Sequence, residues 1–512
     1  MSFRRIFTNS GTICSVVFVL ANSVLLNGCG NNYKKDKKTV EAEILVNKYC
    51  TSCHASISPQ LLDKETWQKS VLPAMGKNLG ISMWSGQYFP DDMHSGISIT
   101  DWQKIVSYFS ENAPSKLPKV KFIEPAFNAS HFKIIKPAVY DTSRVASTTM
   151  VKFNRNNKSI YTSDVLSQSL YRWDTTLSLM KQQLFQSPVV DITFGSKYRI
   201  SPYNGLITLI GSINPNDSPQ GKILSIDGDN LTEGSALATA LPRPVRSLTA
   251  DFDKNGLEDI LVCGFGNTIG GLYWLKHNAG SKYEKMMISD RSGAIQAFIG
   301  DYNKDGWPDI ISLYAQGDEG IWMYLNDKKG SFKSVNVLRF SPLFGSSSFQ
   351  MVDFNKDGHD DILYTSGDNS DYSRILKPYH GIYIFMNNGK NSYKQTYFYP
   401  INGSTKAIAT DLNNDGRLDL AAIAFFSDSK NNPRESFMYL LQQDNLKFKT
   451  YSLPVEKLGK WLCMDVNDID DDGDPDIILG NFSIRGFNQP GVNATWDTKL
   501  PFIVLQNKFN SK

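Results

Sequence analysis

The chain has 512 residues, which is long enough for more than one domain. Its formal net charge is +3, and no basic stretch interleaved with aromatic residues predicts nucleic-acid binding. The sequence lacks a nucleophile elbow, a Walker loop, a dinucleotide fingerprint and an HExxH helix, so no catalytic constellation is recognisable. Nucleic acid is therefore not expected as a partner.

The first residues predict export. Arg4 and Arg5 precede an apolar run that ends at Leu26, which is the order of a signal sequence. The run is shorter than the ~20 residues that a spanning helix needs, which disfavours an uncleaved anchor. Its end, Leu26-Asn27-Gly28-Cys29, resembles a bacterial lipobox, which implies cleavage before Cys29 and lipidation of that cysteine. Residues 1–28 are thus expected to be a lipoprotein signal peptide, with a plain signal or an anchor as the alternatives.

Residues 29–38 carry four lysines and no apolar cluster. Such a segment cannot bury surface and should form a flexible tether. It would space a globular body from a bacterial membrane, so the protein is expected to be lipid-anchored on the periplasmic or cell-surface side.

The segment Cys50-Thr51-Ser52-Cys53-His54 is the main motif near the start of the mature chain. Two thiols at this spacing can add to the vinyl groups of a haem, and the histidine that follows can ligate its iron. A chance CxxC and a thioredoxin-like redox pair are the alternatives; a helix-like lead-in disfavours the redox pair. The sequence therefore predicts covalent haem c at Cys50, Cys53 and His54.

Residues 39–113 are expected to form a small all-α domain around this cofactor. The first helix should end at Cys50 with its apolar residues on one face, namely Val40, Ile44, Leu45 and Tyr49. The second should begin after Asp63 and stop at Pro73. The third should begin at Thr100, which forms a capping box with Gln103, and bury Trp102, Ile105 and Phe109. Three or four short helices around a haem resemble a small cytochrome c domain.

The sixth iron ligand is left open between several side chains. Met75 is favoured, because the run Trp67, Val71, Met75 resembles a signature of small bacterial cytochromes. Met93 is the main alternative, since its place before the last helix resembles the methionine loop of class I cytochromes. Met83 and His94 are weaker candidates.

Residues 114–130 are rich in proline and lysine and predict a linker. Residues 131–512 then form one large repeat domain. Two cysteines in it, Cys263 and Cys463, lie in apolar strand-like surroundings and are expected to be buried free thiols. A disulfide between them is the alternative in an oxidising compartment.

The repeat domain contains a motif of the form D-x-[DN]-x-[DN]-G-x-x-D. It occurs five times, about 50 to 58 residues apart, at Asp251–Asp259, Asp301–Asp309, Asp353–Asp361, Asp411–Asp419 and Asp468–Asp476. A period of this length is typical of propeller blades. The apolar pair that follows each motif predicts a buried strand.

Each place of the motif has an expected role in binding Ca²⁺. Side-chain oxygens at places 1, 3, 5 and 9 should converge on one ion, and the glycine at place 6 permits the sharp turn. These side chains are Asp251, Asp253, Asn255 and Asp259; Asp301, Asn303, Asp305 and Asp309; Asp353, Asn355, Asp357 and Asp361; Asp411, Asn413, Asp415 and Asp419; and Asp468, Asp470, Asp472 and Asp476.

Place 7 should ligate through its main-chain carbonyl, which explains why its side chain varies. The residues are Leu257, Trp307, His359, Arg417 and Asp474. Place 12 lacks the glutamate of an EF-hand. Up to about five structural Ca²⁺ ions are therefore expected. The alternative is an Asx-type turn without metal, which carboxylate repulsion disfavours.

The motif and its period resemble the FG-GAP or VCBS repeat family, which implies an all-β propeller like that of integrin α-subunits. Two upstream segments, Val151–Thr175 and Val189–Asp227, are expected to be blades without the metal loop, giving about seven blades. The order of lipoprotein signal, CxxCH and repeats resembles bacterial cytochrome-plus-VCBS proteins.

Three functions follow as expectations. The first is an exported electron-transfer protein, whose haem serves a redox partner protein while the propeller docks a partner or polymer. The second is an oxidoreductase whose propeller binds substrate and whose haem accepts the electrons. The third is an adhesion or polysaccharide-binding propeller.

Overall fold

The computed structural model describes residues 36–84, 86–90, 96–120, 122–195, 203–280, 282–370, 374–487 and 492–509. The predicted signal peptide and lipidated Cys29 lie outside these residues. So does most of the predicted tether; Asp36 caps the first helix, to which Lys37 and Lys38 already belong. Among the described residues, no helix combines the length and apolarity needed to cross a membrane.

A small helical region occupies the N-terminal part. Its helical segments are α1 Lys37–Cys50, a 3₁₀ turn Pro59–Leu61, α2 Lys64–Thr66, a π-helical turn Trp67–Val71, α3 Leu72–Asn78 and α4 Ile99–Asn112. It also contains a hairpin, β1 Ile81–Trp84 and β2 Gln87–Pro90, which the all-α expectation did not include. The core of this region is built around Trp67, Trp102 and Phe109.

Some expected details of the helices are wrong. Pro73 does not stop the second helix, because the wider π-helical turn precedes it and the proline falls in the first turn of α3, where its missing N–H is tolerated. The cap of α4 is Ser98, which accepts from the Asp101 N–H at 3.1 Å, and not Thr100. In α1 the buried residues are Ala42 and Val46, whereas Val40 and Ile44 are exposed.

The predicted end of α1 at Cys50, the Asp63 cap of α2 and the buried face of α4 are confirmed.

The rest of the chain forms a seven-bladed β-propeller. Before the first blade lie β3 Ala126–Phe127, inside the segment expected to be linker, and β4 Phe132–Ile135. Blade 1 consists of β5 Thr148–Asn154, β6 Ser159–Asp164, β7 Ser169–Trp173 and β8 Leu179–Leu184. Blade 2 consists of β9 Val189–Phe194, β10 Gly205–Leu209, β11 Gly221–Asp227 and β12 Thr232–Leu241. Blade 3 consists of β13 Pro244–Ala250, β14 Asp259–Gly264, β15 Gly271–Asn278 and β16 Lys282–Ser289.

Blades 4 to 7 continue the same up-and-down order. Blade 4 consists of β17 Ala294–Gly300, β18 Asp309–Tyr314, β19 Gly320–Asn326 and β20 Phe332–Arg339, and blade 5 of β21 Ser346–Val352, β22 Asp361–Ser366, β23 Gly381–Asn387 and β24 Tyr393–Pro400. Blade 6 consists of β25 Ser404–Thr410, β26 Asp419–Ala424, β27 Phe437–Asp444 and β28 Lys447–Ser452. Blade 7 contains β29 Trp461–Asn467, β30 Asp476–Asn481 and β31 Phe502–Asn507. A 3₁₀ turn Pro433–Ser436 precedes β27, and another, Arg485–Phe487, follows β30.

Blade 7 is completed by a strand from the start of the domain. The outer edge of β31 pairs antiparallel with β4, so both ends of the propeller chain meet in one sheet. Blade 6 gains a fifth, parallel strand from β3. The ring closes between blades 7 and 1, where the Phe153 N–H donates to Asp465 at 2.8 Å. Closure of this kind leaves few exposed strand edges.

The up-and-down order gives the propeller two distinct faces. Connections between first and second strands, and between third and fourth strands, leave from one face; all five acidic motifs lie there, directly before β14, β18, β22, β26 and β30. We call this the acidic-loop face. The remaining connections form the opposite face, which contacts the helical region through Leu343 and Ile375. We call it the helical face.

Candidate metal loops and cofactor cavity

The aspartate at place 9 of each acidic loop is the first residue of the second strand and is buried. In blade 3, Asp259 accepts from the Phe252 N–H at 3.0 Å and from the His277 N–H at 2.7 Å. The same two bonds recur in the other four loops. One carboxylate therefore ties the loop to the third strand of its blade.

Burial raises the pKa of these place-9 carboxyls above the usual value. The pKa of Asp419 rises to about 7 and that of Asp476 to about 6, in each case because burial disfavours the charged form. The pKa values of Asp259, Asp309 and Asp361 are raised for the same reason.

The rest of each loop is a compact turn closed by aspartate and asparagine side chains. In blade 4, Asp301 accepts from the Asp305 and Gly306 N–H groups at 2.9 and 2.7 Å. Asp305 in turn accepts from the Trp307 N–H at 3.0 Å. Gly306 has φ +84°, the left-handed region that the glycine was expected to provide. These bonds leave the loop pre-shaped around its oxygens.

Three carboxylates converge in two of the loops. Oxygens of Asp251, Asp253 and Asp259 lie within 4.8 Å of one another, and so do oxygens of Asp468, Asp470 and Asp476. The other three loops have asparagine at place 3, so a neutral oxygen stands there instead. The two acidic triads are therefore the strongest metal-ligand sets in the described part of the chain.

A buried oxygen in the last loop supports a cation there. Asp468 Oδ1 has no hydrogen-bond partner among the residues that the structure describes. A buried carboxylate oxygen left unpaired is costly, and a hard cation is the partner that would satisfy it. The donor set of this loop thus fits Ca²⁺.

The chain also supplies cations of its own to the loops. Lys276 lies 2.9 Å from Asp253, Lys328 lies 3.2 Å from Asp305, and Arg417 contacts Asp415 at 2.5 Å. Carboxylate repulsion alone is therefore a weaker argument for metal than the sequence suggested, since part of the charge is compensated from within.

Both cysteines and the histidine of the CxxCH segment line one cavity on the helical face. Cys50, Cys53, His54 and Met75 surround a space of about 420 Å³ between the helical region and the propeller. Burial raises the pKa of the Cys50 thiol to about 11. Cys53 is exposed, and neither thiol is in a disulfide.

His54 is oriented by a main-chain contact. Its Nδ1 lies 2.8 Å from the Ala55 carbonyl oxygen, and the residue is buried, with 8 % of its surface exposed. A carbonyl acceptor at Nδ1 fixes the proton there and leaves Nε2 as a lone-pair donor, which is the usual arrangement of a metal-ligating histidine. The residues present therefore fit a haem.

The structure separates the methionine candidates. Met75 lines the cavity, whereas Met83 lies on β1 with 46 % of its surface exposed and is not among the lining residues. Met93 and His94 lie outside the described residues. Met75 is thus the candidate that the geometry brings to the CxxCH segment.

The cavity has a second wall that the sequence did not indicate. Loops of blades 3, 4 and 5 contribute Asn267, Thr268, Gln316, Glu319, Asp368 and Lys377. Each lies in a connection between second and third strands whose sequence does not repeat from blade to blade, so no pattern marked it. This wall is mostly polar, in contrast to the apolar helical one.

The two remaining cysteines are free, as predicted. Cys263 is buried in β14, and Cys463 is partly buried in β29. Burial raises the pKa of each thiol to about 12, so neither is a reactive thiolate at neutral pH.

Comparison with known families identifies the repeats. A family described as FG-GAP-like repeat matches residues 251–312 and 301–364. Each match begins at an acidic loop and ends in the second strand of the next blade. Residues 251–364 of the propeller are therefore similar to FG-GAP-like repeats.

One curated relative is a T-cell immunomodulatory protein homolog of Plasmodium falciparum, 34% identical over 141 residues. The alignment covers 25% of this chain and 19% of that protein, so the chain spans only a small part of the relative's length.

Solved structures with a similar chain path include the Pan2 WD40 domain of Neurospora crassa, with a TM-score of 0.44, 10% identity and coverage of 75% of this chain and 98% of that one. BBS1N in complex with ARL6DN gives a TM-score of 0.43 at 9% identity, covering 74% and 97%. The seven-bladed assignment itself follows from the strand order.

Proposed function

Starting from a seven-bladed propeller with FG-GAP-like repeats, we propose that the protein is an exported haem c protein that transfers electrons. Haem would be bound covalently through Cys50 and Cys53, with His54 and Met75 as iron ligands. A bound haem would supply one-electron chemistry, for which this chain offers two attachment thiols, candidate iron ligands and a cavity of about 420 Å³.

One observation carries the proposal: both thiols, the histidine and a methionine line the same cavity. A chance CxxCH would not require a large cavity beside it, nor a methionine in the lining of that cavity. A thioredoxin-like pair needs a thiol with a lowered pKa, whereas burial raises the pKa of Cys50.

The test is to produce the full chain in a host with haem-attachment machinery and to compare it with a Cys50→Ala/Cys53→Ala variant. The parent should gain the mass of one haem and show a reduced-minus-oxidised haem spectrum, and the variant should show neither. A Cys263→Ala variant is the matched control, since that thiol is buried elsewhere. A colourless parent of peptide mass would overturn the proposal.

Met75 as sixth ligand has its own spectroscopic test. Met75→Ala should abolish the charge-transfer band that marks methionine ligation of ferric haem, while Met83→Ala should leave it intact. Loss of the band in Met83→Ala, or its persistence in Met75→Ala, would transfer the role to another residue.

Lipidation at Cys29 and a redox partner protein complete the proposal. The signal, the lipobox resemblance and the lysine-rich segment before α1 support a membrane-anchored carrier. Labelling with radioactive palmitate should mark the parent and not Cys29→Ser. Partner proteins would be found by the haem reduction they cause, and reduction by a small substrate alone would favour the oxidoreductase instead. Polysaccharide binding that persists in the variant without haem would favour an adhesion protein.

We also propose that the acidic loops bind Ca²⁺ as structural ions. Support comes from the two acidic triads and from the unpartnered Asp468 Oδ1. Titration of the chelator-treated protein with Ca²⁺ should show at least two tight sites and a rise in melting temperature. An unchanged melt with excess EDTA would contradict a structural role.

A further inference from the structure

The cavity beside the CxxCH segment has two chemically different walls. On the helical side the lining is mainly apolar, with Ile57, Leu62, Val71 and Leu79. On the propeller side it carries the charged residues Glu319, Asp368 and Lys377. A ligand that fills this space must be apolar on one side and polar, with charge, on the other.

Two of the charged side chains are buried and fixed by propeller loops. Lys377 is 8 % exposed, and its Nζ donates to Asn369 Oδ1. Glu319 is 3 % exposed, and its Oε2 accepts from the Ser346 N–H at 2.9 Å. Charges held this far from water act over a longer range than exposed ones, because less solvent screens them.

A third residue of the same wall has an unused acceptor. Gln316 Oε1 is buried and has no hydrogen-bond partner among the residues that the structure describes. This oxygen needs a hydrogen-bond donor, such as a water molecule, so it does not by itself identify the ligand of the cavity.

We propose that the propeller supplies the polar half of the haem site and that Lys377 pairs with the haem carboxylates. This deepens the proposed function and rests on it, because it presupposes haem at Cys50 and Cys53. A haem has an apolar macrocycle and two carboxylate side chains. Burying a carboxylate is costly unless a cation meets it, and Lys377 is the buried cation of this wall.

The consequence is that a propeller residue sets the reduction equilibrium of a haem bound by the helical region. A cation near the haem favours the reduced state, which carries one more electron, and an anion disfavours it. Lys377 therefore raises the reduction potential, and Glu319 lowers it.

The experiment measures the midpoint potential of the full haem-loaded chain by spectroelectrochemistry. K377Q should lower the equilibrium constant for reduction by roughly threefold to tenfold, as expected for a unit charge at an effective dielectric constant near 20. K377R should stay closer to the parent. K390Q is the matched control, since Lys390 lies exposed in the same blade on the acidic-loop face.

E319Q should shift the potential in the opposite direction while keeping an acceptor for the Ser346 N–H. If K377Q does not accumulate, this variant carries the test, and an unchanged or lower potential would overturn the proposal. So would a K377Q potential equal to that of K390Q, even with a lower melting temperature, because that combination indicates a purely structural lysine.

The two proposals fail in different ways. A chain without attached haem would remove the proposed function. If the chain binds haem but neither K377Q nor E319Q changes its midpoint potential, the proposed electron transfer is unaffected. Only the proposed role of the propeller wall is then contradicted.

Discussion

The two faces of the propeller differ in how their charged side chains are arranged. On the acidic-loop face, carboxylates cluster in exposed turns built to one pattern, with lysines and an arginine beside them. On the helical face, single charged groups lie at unrelated positions: Lys377 and Glu319 are buried, and Lys460 is partly buried. Repetition generates a ring of similar acidic turns, whereas the cavity is lined by residues that occur once.

The largest expected effect comes from destabilising the helical region, which forms one wall of the cavity beside the CxxCH segment. Trp67 is buried at the centre of its core, and its Nε1 donates to the Pro59 carbonyl at 2.8 Å. Trp67→Ala should cost about 3–5 kcal/mol of unfolding free energy in that region, by loss of packing. Denaturant unfolding of the full chain followed by the helical circular-dichroism signal would measure it.

Trp84→Ala is the control for that substitution. Trp84 belongs to the same region but has 76 % of its surface exposed. Its replacement should change the free energy of unfolding by no more than about 0.5 kcal/mol. Equal losses for both tryptophans would contradict the described core.

The next effect tests the acidic-loop face without any ion. Asp309→Ala in excess EDTA should cost about 2–3 kcal/mol, because it leaves the buried N–H groups of Tyr302 and Asn326 without their acceptor. Asp318→Ala, which removes an exposed pair with Arg339, should cost less than about 1 kcal/mol. Thermal unfolding would compare them, and similar losses would show that place 9 is not a structural tie.

The same contrast explains how much of the molecule could be predicted from its sequence. Five copies of one motif predicted the blade period and the buried strands after place 9, because each copy supports the others. Two of the copies contain the acidic triads. The end of α1 at Cys50 was predicted from the helical spacing of the apolar residues before it. The polar wall with Glu319 and Lys377 was not, since contacts between loops of three blades and a separate helical region depend on tertiary packing.

Local rules failed where tertiary structure or an unusual turn intervened. Proline was expected to end the second helix, yet the π-helical turn before it lets the chain continue through Pro73. Ile44 shares the helical spacing of the other apolar residues of α1 but is 61 % exposed, because the packing of α1 against α4 buries Ala42 and Val46 instead. Helical spacing allowed several faces, and only the neighbouring helix decided between them.

A smaller effect distinguishes the loops from one another. Asp253→Asn removes one carboxylate from an acidic triad and should weaken Ca²⁺ binding in blade 3 on the order of tenfold, since ligand charge sets affinity. Asn303→Asp adds a carboxylate at the same place in blade 4 and should strengthen binding there. Calorimetric titration of both variants checks the signs. If neither changes an affinity, place 3 does not ligate.

The last prediction concerns a partly buried cation on the helical face of blade 7. Lys460 Nζ lies 4.0 Å from the centre of the Phe425 ring and donates to the Phe487 carbonyl at 2.6 Å. Burial lowers its pKa to about 7. The usual pKa of a lysine is 10.5, so between about pH 7 and pH 10.5 the unfolded chain binds more protons at this residue than the folded chain does. The free energy of unfolding therefore rises with pH in this window.

This lysine should contribute a slope of at most about 1.4 kcal/mol per pH unit in that window. Lys460→Met should remove the contribution, and Lys457→Met, at an exposed position three residues earlier, should keep it. Denaturant unfolding at a series of pH values above 7 would give both slopes. Equal slopes in the two variants would mean that Lys460 stays protonated in the folded chain. Lys460 would then not differ in protonation from an exposed lysine.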